Sequence, residues 1–141
     1  MVGILDVNVL VALLVPEHVH HAAAMAWFTV EAGKHGWATC AVTELGVIRV
    51  CTQLPGGYWP PETTADRLLL LTATSQDYVF WPDAVSPAAM PEVRTASTGK
   101  QITDRYLLGL ARRHGGRLIT FDRPLAATGG SDVVCLLSPG G

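Results

Sequence analysis

The stretch Val2-Gly3-Ile4-Leu5-Asp6-Val7-Asn8-Val9-Leu10-Val11-Ala12-Leu13-Leu14 decides how the rest of the chain is read. Residues 2–5 form a short apolar run, as a buried strand requires, and the run stops at a carboxylate. From Val9 to Leu14 the chain is apolar again and reads as a helix that ends before Pro16. A charge between a buried strand and an apolar helix is expensive unless it has a use, so Asp6 is the first candidate functional residue. Asn8 is a natural cap for the helix.

Working outward, the same alternation recurs. Residues 20–32 carry Ala, Met, Trp and Phe at helical spacing and stop at Gly33, a cap candidate. Residues 37–40 read as a strand, and a helix with Leu45, Val47 and Ile48 on its apolar side runs to about Gln53. Pro55-Gly56-Gly57 breaks the chain. A helix starts at Pro60-Pro61 with Leu68 to Leu71 as its core, and residues 78–81 form a strand. Residues 86–99, rich in Pro, Ala, Ser and Thr, are either a broken helix or a loop. Residues 103–114 make the clearest helix, capped by Thr103 and ended by Gly115-Gly116. Two strands follow: 117–121, with Asp122 at its end, and 133–137. Strands that alternate with helices imply an α/β fold, a central and mainly parallel sheet with helices on both faces.

The 141 residues are 49% apolar and 16% charged, which fits one well-packed domain over 1–141 with 137–141 as a loose tail. The run Val7–Val15 is too short to span a bilayer, and the start lacks a secretory leader, so the expectation is a cytoplasmic protein without membrane contact. Cys40, Cys51 and Cys135 are odd in number and widely spaced, which suits reduced thiols rather than a zinc ribbon. The net charge of −2 argues mildly against nucleic acid, yet six of the ten basic residues (Lys100, Arg105, Arg112, Arg113, Arg117 and Arg123) share one segment with Asp104 and Asp122. For Arg112 and Arg113 a solvated helix face is an equal reading.

In an open parallel sheet, ligands bind beyond the C-terminal strand ends, where helices also start. Asp6 and Asp122 fall at strand ends; Glu44 and Asp104 fall near helix starts. The four acids can therefore share one rim. Converging carboxylates repel, and a hard divalent cation relieves that repulsion. Oxygen-only donors suit Mg²⁺ or Mn²⁺ rather than zinc, and such an ion serves phosphodiester hydrolysis without a Ser, Cys or His nucleophile. Taken singly, each acid has an ordinary use: Asp104 at a helix dipole, Asp122 in a turn, Glu44 on a solvated helix face.

The local sequences add a resemblance. Ile4-Leu5-Asp6-Val7-Asn8-Val9-Leu10 resembles the opening motif of PIN domains. Thr43-Glu44-Leu45-Gly46-Val47-Ile48-Arg49-Val50 resembles the second motif, Gln101-Ile102-Thr103-Asp104-Arg105-Tyr106-Leu107-Leu108-Gly109-Leu110-Ala111 the third, and Leu118-Ile119-Thr120-Phe121-Asp122-Arg123 the fourth. The motifs stand in order from residue 3 to about 137, and size and fourth motif are similar to VapC-type toxins. The resemblance implies a three-layer α/β/α PIN-like fold. It also implies a Mg²⁺- or Mn²⁺-dependent endoribonuclease with catalytic acids Asp6, Glu44, Asp104 and Asp122, of which Asp6, Asp104 and Asp122 hold the metal. Asn8, Thr103 and Thr120 would orient them. Arg49 would contact Glu44 or RNA phosphate, or form a structural ion pair. Implied partners are a VapB-type antitoxin, an RNA substrate, a second copy in a homodimer, and operator DNA only as a complex with the antitoxin.

Gly46 weakens the helix that carries Glu44. His18, His20 and His21 form a cluster, but their spacing does not place all three on one helix face, so a metal role is disfavoured. Trp27, Trp37, Trp59 and Trp81 read as core or dimer packing, with base stacking open for Trp59 in an exposed loop. Two other readings compete. One is a PIN-like scaffold acting through a protein partner without catalysis. The other is a phosphatase or phospho-acceptor using Asp6 as nucleophile, for which Asp6-Val7-Asn8-Val9-Leu10 lacks the second Asp and the Gly-Thr that chemistry calls for.

Overall fold

The computed structural model describes residues 1–53 and 59–137; the break at Pro55-Gly56-Gly57 and the tail from 138 lie outside them. Five strands, β1 (Gly3–Leu5), β2 (Trp37–Thr39), β3 (Tyr78–Phe80), β4 (Arg117–Thr120) and β5 (Val133–Cys135), form one sheet in the order β3-β2-β1-β4-β5. Every neighbouring pair is parallel. Thus all C-terminal strand ends lie along one rim. The chain walks outward from β1 to β3, then returns to place β4 on the other side of β1, in register Ile4 with Leu118.

Side-chain alternation along the strands divides the core in two. Leu5, Trp37, Ile119 and Phe121 pack on one face against helices α1 (Val7–Leu14), α2 (His21–Trp27), α4 (Ala41–Gln53) and α5 (Pro61–Ala73). Ile4, Ala38 and Leu118 pack on the other against α6 (Pro91–Arg94), α7 (Ile102–Arg113) and α8 (Arg123–Gly129). This is the three-layer α/β/α arrangement expected. Helix α1 contains Val7, Val9 and Val11, poor helix formers, but burial of Val9 to Leu13 outweighs propensity.

Several boundaries differ from the sequence reading. The second helix does not stop at Gly33. It runs through a π-helical turn, Phe28–Ala32, into the short helix α3 (Gly33–His35). Gly33 has an ordinary helical φ, whereas Gly36, at φ 80°, takes a positive-φ conformation that glycine tolerates and that ends the run. Helix α7 begins at Ile102 with Gln101 in the cap position, so Thr103 lies inside the helix and is exposed. Residues 86–99 hold a 3₁₀ turn, Pro87–Ala89, and the single turn α6, both opened by proline.

Apolar runs on helices cannot face inward throughout. In α5 Leu68 is buried while Leu69 and Leu70 are 63% and 66% exposed. In α4 Val47 is buried and Leu45 is 66% exposed. Trp59 is half-buried against the α1–α4–α5 core, with the Arg67 guanidinium 4.0 Å over its ring, which replaces the exposed position read from the sequence. All three cysteines are free thiols. Among the described residues no helix is long and apolar enough to cross a membrane.

Candidate active site

Between β1 and β4 the connections leave to opposite faces of the sheet, because α1 packs on one side and α8 on the other. Such a switch point leaves a crevice at the C-terminal rim. Asp6 sits there as the N-cap of α1, its Oδ1 accepting the Val7 N–H at 2.8 Å. Its Oδ2 accepts the Thr120 hydroxyl at 2.7 Å, across the junction of β1 and β4. Asp6 is only 5% exposed. Burial pushes its carboxyl above the usual range, the Thr120 and Val7 hydrogen bonds pull it back, and the Asp122 charge raises it further.

Asp122 caps α8 by accepting the Leu125 N–H at 2.9 Å with Oδ1. The turn before it is fixed twice over: the Thr120 hydroxyl oxygen accepts the Asp122 N–H at 3.1 Å, and Asn8 Oδ1 accepts the Phe121 N–H at 3.4 Å. Asn8 therefore ties α1 to the end of β4 instead of capping its own helix, a job Asp6 performs. Asp104, in the first turn of α7, faces the same crevice. Burial, then the charges of Asp6 and Asp122, push its carboxyl from 3.8 up to about 7.

Asp6, Asp104 and Asp122 line one cavity of about 330 Å³, together with Val7, Asn8, Val11, His18 and Val50. A second cavity of about 260 Å³ shares Asp104 and Asp122 as its wall and adds Arg105, Gln101 and Ser97. Another, of about 320 Å³, lies near the opposite strand ends between Phe28 and Asp77 and brings no carboxylate but Asp77.

Glu44 starts from the same rim but turns aside. Its Oε2 accepts the Thr39 hydroxyl at 2.6 Å and the Tyr78 hydroxyl at 3.4 Å, and it does not line the cavity of the three aspartates. Arg49 is exposed on α4, and among the described residues no ion pair joins it to Glu44. Of the basic segment, Arg112 bonds Glu92 and Asp132, and Arg113 bonds Glu92, so these two brace α7 against its neighbours. The histidines diverge: His21 Nδ1 meets the Ala12 carbonyl at 2.7 Å, and the His20 ring lies on Phe121 at 4.8 Å. His18 alone reaches the cavity, a placement the sequence reading missed. His18 and His20 stand in the turn before α2 rather than on a helix, with their rings 5.8 Å apart.

The donor set fits a hard cation. Carboxylate oxygens surround an open cavity with room for the waters such an ion keeps, and their mutual repulsion is the strain it would relieve. Among the described residues, however, no three acidic, histidine or cysteine side chains stand close enough together to hold a metal ion as placed.

Residues 3–130 match the PIN domain family. The chain belongs to that family. It is 38% identical over 141 residues to Ribonuclease VapC39 of Mycobacterium tuberculosis, across 97% of this chain and 100% of that one. It is 42% identical over 132 residues to Ribonuclease VapC44 of the same organism, across 91% of each. These relatives make it a VapC-type PIN protein. Solved structures agree on the fold of the PIN chain. VapC20 of Mycobacterium tuberculosis, described as a sarcin-ricin loop cleaving toxin, superposes with a TM-score of 0.68 at 14% identity, covering 93% of this chain and 98% of that one. VapBC2 of Rickettsia felis, bound to a DNA fragment from its promoter, gives 0.67 at 11% identity, covering 96% and 97%.

Proposed function

We propose that this PIN chain is the endoribonuclease toxin of a toxin–antitoxin pair and hydrolyses RNA phosphodiester bonds with a Mg²⁺ or Mn²⁺ ion held by Asp6, Asp104 and Asp122. The observation that carries the reading is the convergence of these three carboxylates on one cavity at the switch point, where burial and the charges of Asp6 and Asp122 raise the Asp104 carboxyl. The ribonuclease names of relatives at 38% and 42% identity support the reaction class.

When bound, a divalent ion supplies Lewis acidity toward a water and offsets charge on the phosphate. The rest falls to the chain. Thr120 fixes the direction of Asp6 through Oδ2, and Asn8 holds the turn that presents Asp122. Asp104, its carboxyl raised by burial and by the charges of Asp6 and Asp122, would hold the ion in its deprotonated form. Arg105, beside Asp104 in the second cavity, offers positive charge to the phosphate backbone. In this reading Glu44, bonded to Thr39 and Tyr78, completes the pocket from its edge or orients the attacking water.

The same reading has the toxin covered by a VapB-type antitoxin, binding operator DNA only as that complex, pairing as a homodimer and working in the cytoplasm. Leu45, Leu69 and Leu70, exposed on α4 and α5, offer apolar surface for protein partners. The promoter-bound VapBC2 pair is a precedent for the DNA complex. A non-catalytic scaffold is the second reading, and the engagement of Glu44 away from the cavity is the observation that favours it.

Cleavage of a total-RNA pool by purified, antitoxin-free protein distinguishes the two, with Mg²⁺ or Mn²⁺ and again with EDTA. The expected result is metal-dependent cutting by the wild type and none by Asp6→Asn, which keeps the Val7 acceptor and folds. Cutting by the variant at the wild-type rate sinks the metal-site assignment; no cutting by the folded wild type across a broad pool favours the scaffold.

A further inference from the structure

We propose that His18 is a substrate-contacting residue whose Nε2–H donates to a phosphate oxygen of the RNA seated against Asp6, Asp104 and Asp122, and that it is not a metal ligand. This rests on the ribonuclease reading above.

The geometry assigns the role. His18 lines the cavity of the three aspartates. The backbone N–H of His20 points at its Nδ1 at 3.0 Å. A backbone N–H can only donate, so Nδ1 is the acceptor and its lone pair is occupied. The proton of the neutral ring is therefore on Nε2. A nitrogen that carries a proton has no lone pair for a metal, so neither ring nitrogen is free to ligate while this bond holds. What the ring offers the cavity is a donor.

The segment around it holds that donor in place. The His18 N–H bonds the Val15 carbonyl and the His21 N–H bonds the His18 carbonyl, both at 3.0 Å. The next two rings are anchored on Phe121 and Ala12, so the turn from Pro16 to His21 is tied to both β4 and α1. Val7, Val11 and Val50 make the remaining wall apolar, and Asn8 spends its carbonyl oxygen on Phe121. An anionic oxygen entering there meets the His18 N–H and the Asn8 amide.

Charge explains why histidine suits the position. A lysine or arginine beside three carboxylates would pair with them and compete with the divalent ion. A neutral imidazole does neither. Burial, with the charges of His20 and His21 next, holds His18 below the usual imidazole value. A neutral donor aimed at the phosphate adds stabilisation where charge develops without weakening cation binding.

His18→Leu and His18→Gln separate this role from the others. Glutamine places an N–H close to the position of the imidazole Nε2; leucine removes the donor and keeps the bulk. Three readouts are needed: single-turnover cleavage of the total-RNA pool with Mn²⁺, Mn²⁺ titration of the protein without RNA, and a thermal melt. The expected result is a roughly 10- to 100-fold slower His18→Leu, and His18→Gln within about 5-fold of wild type. Mn²⁺ binding should be unchanged in both, and so should the half-saturating protein concentration. Equal rates for wild type and His18→Leu overturn the proposal. So does loss of Mn²⁺ binding in His18→Leu to the extent seen for Asp6→Asn, which would make His18 a ligand. Equal impairment of both variants assigns shape rather than donation and also overturns it. A wild type that binds Mn²⁺ but cuts nothing overturns the ribonuclease reading itself, and this inference with it.

Discussion

Replacing Asp104 by asparagine should make the metal-free protein more stable at pH 8 and leave it unchanged at pH 4. Asp104 has its carboxyl pushed from 3.8 up to about 7 by burial and by the charges of Asp6 and Asp122. The folded chain therefore holds this proton more tightly than the unfolded chain. Between those two values the native state binds more protons, so stability falls as pH rises through the window, and above about 7 the loss is complete. A displacement of that size, from 3.8 to about 7, corresponds to roughly 4 kcal/mol at full strength. Asp104 is partly open to solvent, and screening reduces the figure to about 2 kcal/mol. The assay is urea unfolding in EDTA from pH 4 to pH 8, followed by tryptophan fluorescence, since Trp37 is fully buried. The difference between wild type and Asp104→Asn cancels the groups that do not interact with Asp104 and leaves its titration together with its coupling to Asp6 and Asp122. It should open from near zero at pH 4 to about 2 kcal/mol at pH 8. Adding Mg²⁺ at pH 8 should stabilise the wild type more than the variant, because the ion takes the place of the proton. Two curves that run parallel from pH 4 to pH 8 would refute the electrostatic coupling of the three carboxylates.

Two further perturbations test the frame around the site. A Cβ at Gly46 would lie 2.5 Å from Val7 Cγ2 and 3.3 Å from Cγ1. Valine is stiff at χ1, so Gly46→Ala should destabilise by about 1–2 kcal/mol net of the improved helix propensity, and Val7→Ala in the same chain should restore most of it; urea midpoints of the single and double variants measure this, and a stabilised Gly46→Ala would contradict the close approach of α1 and α4. Thr120→Val keeps shape but leaves Asp6 Oδ2 buried without its donor, which should cost about 1–3 kcal/mol and lift the Asp6 carboxyl further; an unchanged melting temperature would show that this bond does not hold the carboxylate.

The alternation of strand and helix was legible because it depends on local pattern. Ile4-Leu5-Asp6 and Leu118-Ile119-Thr120-Phe121-Asp122 each show an apolar run that ends on a carboxylate, and both ends lie at the switch point. What stayed hidden depends on contacts between distant residues. Gly46 looked like a weakness in its helix, yet it is where Val7 of α1 sits against α4. Gly33 and Gly36 are equivalent as letters, and only the backbone conformation of Gly36 distinguishes the true stop. Helix α8 was missed because Arg123-Pro124 after an Asp reads equally as a turn, and its residues show no strong apolar stripe. The position of Glu44 depends on two hydroxyls, Thr39 on β2 and Tyr78 on β3, and no motif around residue 44 encodes them.

The hydrogen bond from Thr120 to Asp6 joins residues 114 apart in sequence. Strand β1 lies in the middle of the sheet, and β4 is one of its two neighbours. During synthesis the amino-terminal half can pair β1 with β2 and β3 and bury one face, but half of the crevice does not yet exist. A nascent chain that has not reached residue 117 carries Asp6 without the hydroxyl that orients it and without Asp122. The strand order thus acts as a timer: the rim is assembled only once residues 117–122 have joined β1, and a chain stopped before them lacks both Asp122 and the hydroxyl that holds Asp6.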